Sequence, residues 1–194
     1  FNVCIGYVAG NLITTGSSNI CVGRQAGGDG AAVITGSNNT SVGDRAGASI
    51  QGAASSNTLI GMEAGDAITT AGENTIVGAQ AGDHLTTGAN NVAIGRSALG
   101  VSTVGLKMVA IGQGALADGD VTTDAEGTVA VGMHSLLNLT SGAGNVAVGY
   151  QTGMALTTGE RNTILGYEAL DAGTTETDDN VAIGFNAMGG AIGT

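Results

Sequence analysis

Asn91-Val92-Ala93-Ile94-Gly95-Arg96-Ser97-Ala98 decides the reading of this chain, because the same phrase returns along its whole length. Aligned on its glycine, it recurs at Gly6, Gly23, Gly43, Gly61, Gly78, Gly95, Gly112, Gly132, Gly149, Gly166 and Gly184, in steps of 17, 20, 18, 17, 17, 17, 20, 17, 17 and 18 residues. A fixed period of this length marks a repeat architecture and outranks any single motif. The first position is Asn in nine copies (Asn2, Asn19, Asn39, Asn57, Asn74, Asn91, Asn145, Asn162 and Asn180), with Met108 and Thr128 in the other two. The second is β-branched throughout, and the fourth is Val, Ile or Leu. That period of two predicts a short strand.

Between these positions lies a mostly small column (Cys4, Cys21, Ser41, Ala93, Ala110, Ala130, Ala147 and Ala182), interrupted by Leu59, Ile76 and Ile164. It points to the opposite face, so the sequence predicts one bulky face, stacked inside, and one small-residue face open to close approach. The glycine that closes each strand reads as a corner, where a Cβ would be penalised. After two further residues comes a small one, as at Ala26, Ala46, Ala64, Ala81 and Ala98. The chain then returns through spacers such as Leu85-Thr86-Thr87-Gly88-Ala89-Asn90, which carry one apolar residue followed by turn chemistry. About 17 residues cannot hold a βαβ crossover, which needs roughly 30. They can make one coil of a parallel β-solenoid, so the expected fold is all-β, a single array over residues 1–194 with about eleven coils of 17–20 residues.

Composition supports this reading. The 194 residues include 36 Gly, no Pro, no Trp and 3% aromatics, which argues against a large mixed globular core and against an ordinary enzyme domain. The 42% hydrophobic content is spread evenly, with no run of about 18 apolar residues, so no membrane insertion is expected. The net charge is −11, and beyond Lys107 ten acids face Arg161 alone. Such a surface repels phosphate, so nucleic acid is not an expected partner. The repeat pattern runs to both ends without a polar cap, which reads as an excerpt of a longer fibre protein.

The longer spacers should bulge at corners while the strands stay stacked. The 20-residue step holding Asp118, Asp120, Asp124 and Glu126 reads as a protruding loop and the best receptor candidate. Cys4 and Cys21 share a column in adjacent copies, about 4.8 Å apart at a coil spacing. They read as small buried thiols or, alternatively, as a strained disulfide. His84 and His134 lack metal-ligand spacing. Asp118-Gly119-Asp120 and Gly28-Asp29-Gly30 lack the further carboxylates of a calcium loop. No nucleophile elbow is present, and no cofactor or metal is expected. The Asn column is explained by amide stacking along an axis. Two other functions stay open: an ice-binding solenoid, from the Thr-Thr-Gly spacers, and a glycan-cleaving enzyme of tailspike type, from carboxylates paired across spacers.

The phrases Asn90-Asn91-Val92-Ala93-Ile94-Gly95, Gly144-Asn145-Val146-Ala147-Val148-Gly149 and Asp179-Asn180-Val181-Ala182-Ile183-Gly184 resemble the head repeat of YadA-type trimeric autotransporter adhesins. With the preceding Thr-Thr-Gly, the pattern also resembles bacteriophage tail-fibre repeats of the kind found upstream of an intramolecular chaperone domain. The resemblance implies a left-handed β-roll with three chains around one axis, in an extracellular setting, on a virion tail fibre or a bacterial cell surface. The period here, about 17 residues, is longer than the adhesin repeat. A thin coil buries few side chains by itself, and its small-residue face offers a second burial surface, so a homotrimer is expected. The function expected is a structural shaft or head of a fibre used in host or surface attachment, with a surface receptor or glycan as partner and no catalytic role.

Overall fold

The computed structural model describes residues 1–28, 33–172 and 177–190. Eleven three-residue strands recur in chain order: β1 (Val3–Ile5), β2 (Ile20–Val22), β3 (Thr40–Val42), β4 (Thr58–Ile60), β5 (Thr75–Val77), β6 (Val92–Ile94), β7 (Val109–Ile111), β8 (Val129–Val131), β9 (Val146–Val148), β10 (Thr163–Leu165) and β11 (Val181–Ile183). Each pairs in parallel with its sequence neighbour, giving one eleven-stranded sheet in the order β1 to β11. The chain is therefore a β-solenoid of about ten turns. Register is kept across both 20-residue steps, with Ile20 opposite Thr40 and Val109 opposite Val129. Neither longer step displaces the strands, as the sequence predicts.

The faces are reversed from the sequence reading. It is the small middle column that points inward: Cys21, Ser41, Leu59, Ile76, Ala93, Ala110, Ala130, Ala147, Ile164 and Ala182 are buried. The flanking β-branched columns lie outward, half-buried or exposed, with Ile60 at 40%, Ile94 at 37% and Val146 at 40% exposure. The interior is narrow and already holds a second wall, the return-leg column Ile34, Ile50, Ile68, Leu85, Val121, Leu139 and Leu156. Against that wall only a small residue fits in most coils. The β-branched side chains instead pack along the axis on their equivalents one coil away, which satisfies strand preference without pointing inward. Alternation fixes which residues share a face but not which face is inside.

In five coils volume is balanced within the coil, whereas Cys21 and Ser41 are matched with Gly27 and Gly47, and Ile164 with Leu170. Four residues past the corner glycine, the chain places Gly65 and Gly82 where the middle strand residue is Leu59 or Ile76. It places Leu99, Leu116 and Leu136 where that residue is Ala93, Ala110 or Ala130. A Cβ on Gly82 would come within 2.9 Å of Ile76 Cδ1, and one on Gly65 within 2.9 Å of Leu59 Cδ2. Gly153, beside Ala147, breaks the pairing because Leu136 and Ile164 of the adjoining coils reach over it, at 2.7 and 2.9 Å from its would-be Cβ. Close packing of this kind leaves a core with few voids.

Three more corners per coil use left-handed backbone at residues that are not all glycine. One column has φ near +57° at Gln25, Arg45, Glu63 and Gln80. A second holds the glycines or leucines just described, including Leu99 at +55°. The third precedes the Asn column, with Ser56 at +62°, Glu73 at +61° and Asn90 at +62°. In the first and third columns the amide donates to the carbonyl of the previous coil, as from Gln80 to Met62 O at 2.9 Å and from Arg161 to Ala143 O at 2.9 Å, and in the second it donates to the next coil, as from Gly82 to Ala98 O at 2.9 Å. Axial hydrogen bonding thus continues around the coil where no strand is formed.

Candidate functional site

The Asn column is an internal ladder. Asn74 Nδ2 donates to Asn57 Oδ1 at 3.1 Å and to Gly88 O at 3.0 Å, while Asn74 Oδ1 accepts from the backbone N and from Nδ2 of Asn91, at 3.0 and 3.1 Å. Equivalent contacts join Asn2 to Asn19, Asn19 to Asn39, Asn39 to Asn57, Asn145 to Asn162 and Asn162 to Asn180. Asn19, Asn39, Asn57, Asn74, Asn91, Asn145 and Asn162 are buried. These amides are occupied with one another and with turn carbonyls, so they present nothing to a ligand. At Met108 the amide is replaced by an apolar chain, and Met108 N still donates to Asn91 Oδ1 at 3.0 Å. The same coil carries Ser102 in the return-leg apolar column, fully buried, its hydroxyl donating to Val121 O at 2.9 Å and accepting from Gly105 N at 3.1 Å. Polar and apolar residues have exchanged walls within one coil.

The acidic coil is anchored rather than free. Asp118, Asp120, Asp124 and Glu126 are exposed, as expected of a contact loop. Between them Val121 and Ala125 are fully buried, and a single 3-10 turn (Thr123–Ala125), capped by Thr122 Oγ1, lies against the core. Thr122 N also donates to Thr140 O at 2.8 Å. The feature is a widened coil with four carboxylates on its rim, one of them paired with Lys107. Of Gly28-Asp29-Gly30, Asp29 and Gly30 lie outside the described residues, as do Thr174, Thr175 and Glu176 of the last long spacer.

Cys21 is buried and Cys4, on the first strand, is exposed, which corrects the expectation of two buried thiols. Their Cα positions are in register, and both are free thiols. Burial, with Cys4 adding to it, pushes the Cys21 thiol up to about 12, so it is a packing group and a poor nucleophile. His84 contacts the Asp83 carboxylate at 3.1 Å and Gly100 O at 2.8 Å, and these partners raise its pKa above the ordinary histidine value. Among the described residues no group of three or more His, Cys, Asp and Glu gathers as a metal site would require. No helix among them is long and apolar enough to cross a membrane.

The leading threonine of the spacers uses its hydroxyl internally: in Thr-Thr-Gly spacers Thr14 donates to Ile34 O at 3.4 Å and Thr86 to Thr103 O at 2.9 Å, and at the equivalent position Thr69 donates to Thr86 O at 3.1 Å and Thr140 to Thr157 O at 3.0 Å. Those hydroxyls are committed to the backbone. An open depression of about 260 Å³ lies among Ser55, Ser56, Thr70, Glu73 and Asn90, with one carboxylate and no aromatic ring. It offers neither paired carboxylates nor a stacking surface.

Among the described residues the outer sheet face exposes large hydrophobic side chains, including Ile60, Ile94, Val146 and Leu165. Along the column after the corner glycine it is flanked by Tyr150, Tyr167 and Phe185, whose rings stack at centroid distances of 4.8 and 5.7 Å. Sequence reasoning missed this surface because it placed the β-branched columns inside. The ring column was legible as Tyr150, Tyr167 and Phe185 at one repeat position. Comparison of the chain with family models, curated proteins and solved structures finds no match.

Proposed function

We propose that this chain is a structural segment of an extracellular fibre, a shaft or head whose copies associate through the outer sheet face into a homotrimer that serves attachment. The observation that carries the reading is the uninterrupted eleven-strand parallel ladder whose exterior carries an apolar residue at the fourth position of every coil, beside a second column of Val and Ile interrupted by Thr40, Thr58, Thr75 and Thr163. Ten near-equivalent turns supply length, on the order of 50 Å at about 4.8 Å per coil. An apolar face of that extent on a rod marks an interaction surface. The small-residue face, offered by the sequence as the second burial surface, is the coil interior, so the association surface moves to the β-branched columns. A virion tail fibre and a bacterial surface adhesin both fit this arrangement, and the resemblance to YadA-type and tail-fibre repeats supports the same class. Redundancy supports a non-catalytic role, since among the described residues the coils are near-equivalent and the one that differs most in charge, the acidic coil, adds exposed carboxylates with no His, Cys or other carboxylate gathered with them as a site.

Receptor contact, in this reading, falls to the acidic rim of Asp118, Asp120, Asp124 and Glu126, which is exposed on a rigid support. The test is charge neutralisation that leaves Val121 and Ala125 in place: Asp118→Asn, Asp120→Asn, Asp124→Asn and Glu126→Gln together. Binding of parent and variant to a printed glycan array and to a panel of intact bacteria is compared, with sedimentation reporting assembly separately. Loss of binding by an assembled variant assigns the contact to the rim, and unchanged binding leaves the segment as shaft alone. A parent chain that sediments as a folded monomer at micromolar concentration refutes the trimer. Ice-growth inhibition or glycan cleavage by the parent refutes the structural role.

A further inference from the structure

The column that follows the corner glycine changes character along the rod. From the start it reads Tyr7, Arg24, Asp44, Met62, Ala79, Arg96 and Gln113, largely polar or small, and then Met133, Tyr150, Tyr167 and Phe185. Arg24 and Asp44 pair with each other at 3.0 Å. In the later coils the apolar exterior therefore turns the corner, from strand positions such as Val146 (40% exposed) and Leu165 (46%) onto Tyr167 (48%). We infer that the stacked Tyr150, Tyr167 and Phe185 column is the anchor by which this chain binds a second copy of itself, so that association is concentrated in the coils of β9 to β11. This rests on the self-association proposed above and adds where along the rod it is held.

Three observations select a second copy as the occupant. The first is spacing. The exposed side chains repeat once per coil, about 4.8 Å, along the whole axis, and a partner whose own ridges carry that repeat is another such solenoid. The second is ring orientation. Interplanar angles of 17° and 23° put the ring faces against one another along the axis, leaving edges outward. A sugar needs an open aromatic face, and the faces of Tyr167 are covered on both sides. Ring edges and flanking aliphatic groups instead suit an apolar protein surface, where aromatic residues are enriched. The third is area. A face three residues wide and about 50 Å long covers roughly 500 Å², short of the roughly 800 Å² per partner of a stable interface. The corner column supplies what area the face lacks only where it is also apolar, at Met133, Tyr150, Tyr167 and Phe185, which add about one residue width over four coils, roughly 60 Å².

The test uses the 194-residue chain and two matched double variants in one column, Tyr150→Ser with Tyr167→Ser, and Arg96→Ser with Gln113→Ser. Sedimentation equilibrium gives the association constant, and far-UV circular dichroism checks the fold. The tyrosine variant is expected to associate at least tenfold more weakly, and the other within about threefold of the parent. Equal association by both variants overturns the anchor while leaving the trimer standing, whereas a monomeric parent overturns both. Should the tyrosine variant fail to fold, acetylation of tyrosines with N-acetylimidazole on the parent decides. Tyr150 and Tyr167 are expected to become protected as concentration rises, while Tyr7, in the same column at 76% exposure, stays reactive. Uniform reactivity of the three in the associated state overturns the inference, as does protection by free oligosaccharide without association.

Discussion

Replacing Gly95 by alanine puts a Cβ 2.7 Å from both the carbonyl carbon and the oxygen of Gly112 and 3.0 Å from Gln113 N, at a φ of +129°. The two effects separate. The backbone angle costs about 1–3 kcal/mol for a residue with a side chain. The overlap cannot be relieved by a rotamer, because the obstructing atoms are backbone. Adjacent coils must part by most of an ångström, and the axial bonds beside the corner that join those two coils, Gly112 N to Ile94 O at 2.7 Å and Gly114 N to Arg96 O at 3.1 Å, stretch with them. At about 1 kcal/mol each, the expected total is about 3–5 kcal/mol. Gly184 occupies the same column at φ +125° with nothing within 4 Å of its would-be Cβ, and Gly127, in the middle of the chain at +78°, is equally open. Gly184→Ala and Gly127→Ala therefore carry the angular cost alone. Urea denaturation reports the global effect, and amide hydrogen exchange around residues 92–95, 127–129 and 181–184 reports the local one, since repeat arrays need not unfold as a unit. Losses for Gly95→Ala within about 0.5 kcal/mol of both controls would refute coil-to-coil contact as the reason for glycine at this corner.

Four further outcomes follow from contacts already described. Ser41 Oγ is buried without a hydrogen-bond partner among the described residues, so Ser41→Ala is expected to stabilise the chain by about 1 kcal/mol in urea denaturation. Asn74→Ala deprives Asn57 Oδ1, Gly88 O and Asn91 N of a buried partner and should cost about 2–4 kcal/mol, with exchange accelerated in β5 and β6. Ser102→Leu and Met108→Asn should each destabilise alone, while the double variant rebuilds a regular coil and recovers at least about 1 kcal/mol of the summed loss, measured as a double-mutant cycle. His84 should titrate above the ordinary histidine value by NMR, and Asp83→Asn should lower it. Because its folded-state pKa is raised, any stabilisation from the charged form is present at pH below the unfolded value near 6.5 and is lost as pH rises through the folded one.

The coil period, the parallel sheet and the position of every strand could be read from the sequence, since they depend on recurrence and on β-branched alternation. The corner at Gly95 and the Asn91 ladder were equally legible, each being a repeated residue with one physical use. Which face is interior was not, because Val92 and Ile94 satisfy the same alternation pointing either way. The deciding information is distributed: Leu99 four residues past the corner fills the space that Ala93 leaves, and only the coil geometry brings those two together. The left-handed corners at Gln80 and Glu73 were hidden for a related reason, as axial hydrogen bonds impose that backbone on residues with no strong preference for it. The acidic coil was half legible, its charge visible in sequence and its anchoring by Val121 and Ala125 visible only in the fold.

The hydrogen bonds of this rod run along its axis, joining each coil to the next through the sheet, the Asn ladder and the corner amides alike. Under tension applied at the two ends, that arrangement is loaded as a zipper and not as a shear joint: the outermost coil carries the force and peels before the coil beneath it is strained. Releasing one coil of 17 residues frees about 17 × 3.5 ≈ 60 Å of extended chain and removes about 5 Å of folded length. A single chain pulled from both termini should lengthen in near-equal steps of roughly 55 Å at low force. Side-by-side association of copies would block that peeling, so the same exterior face that joins the chains would also set the load the fibre withstands.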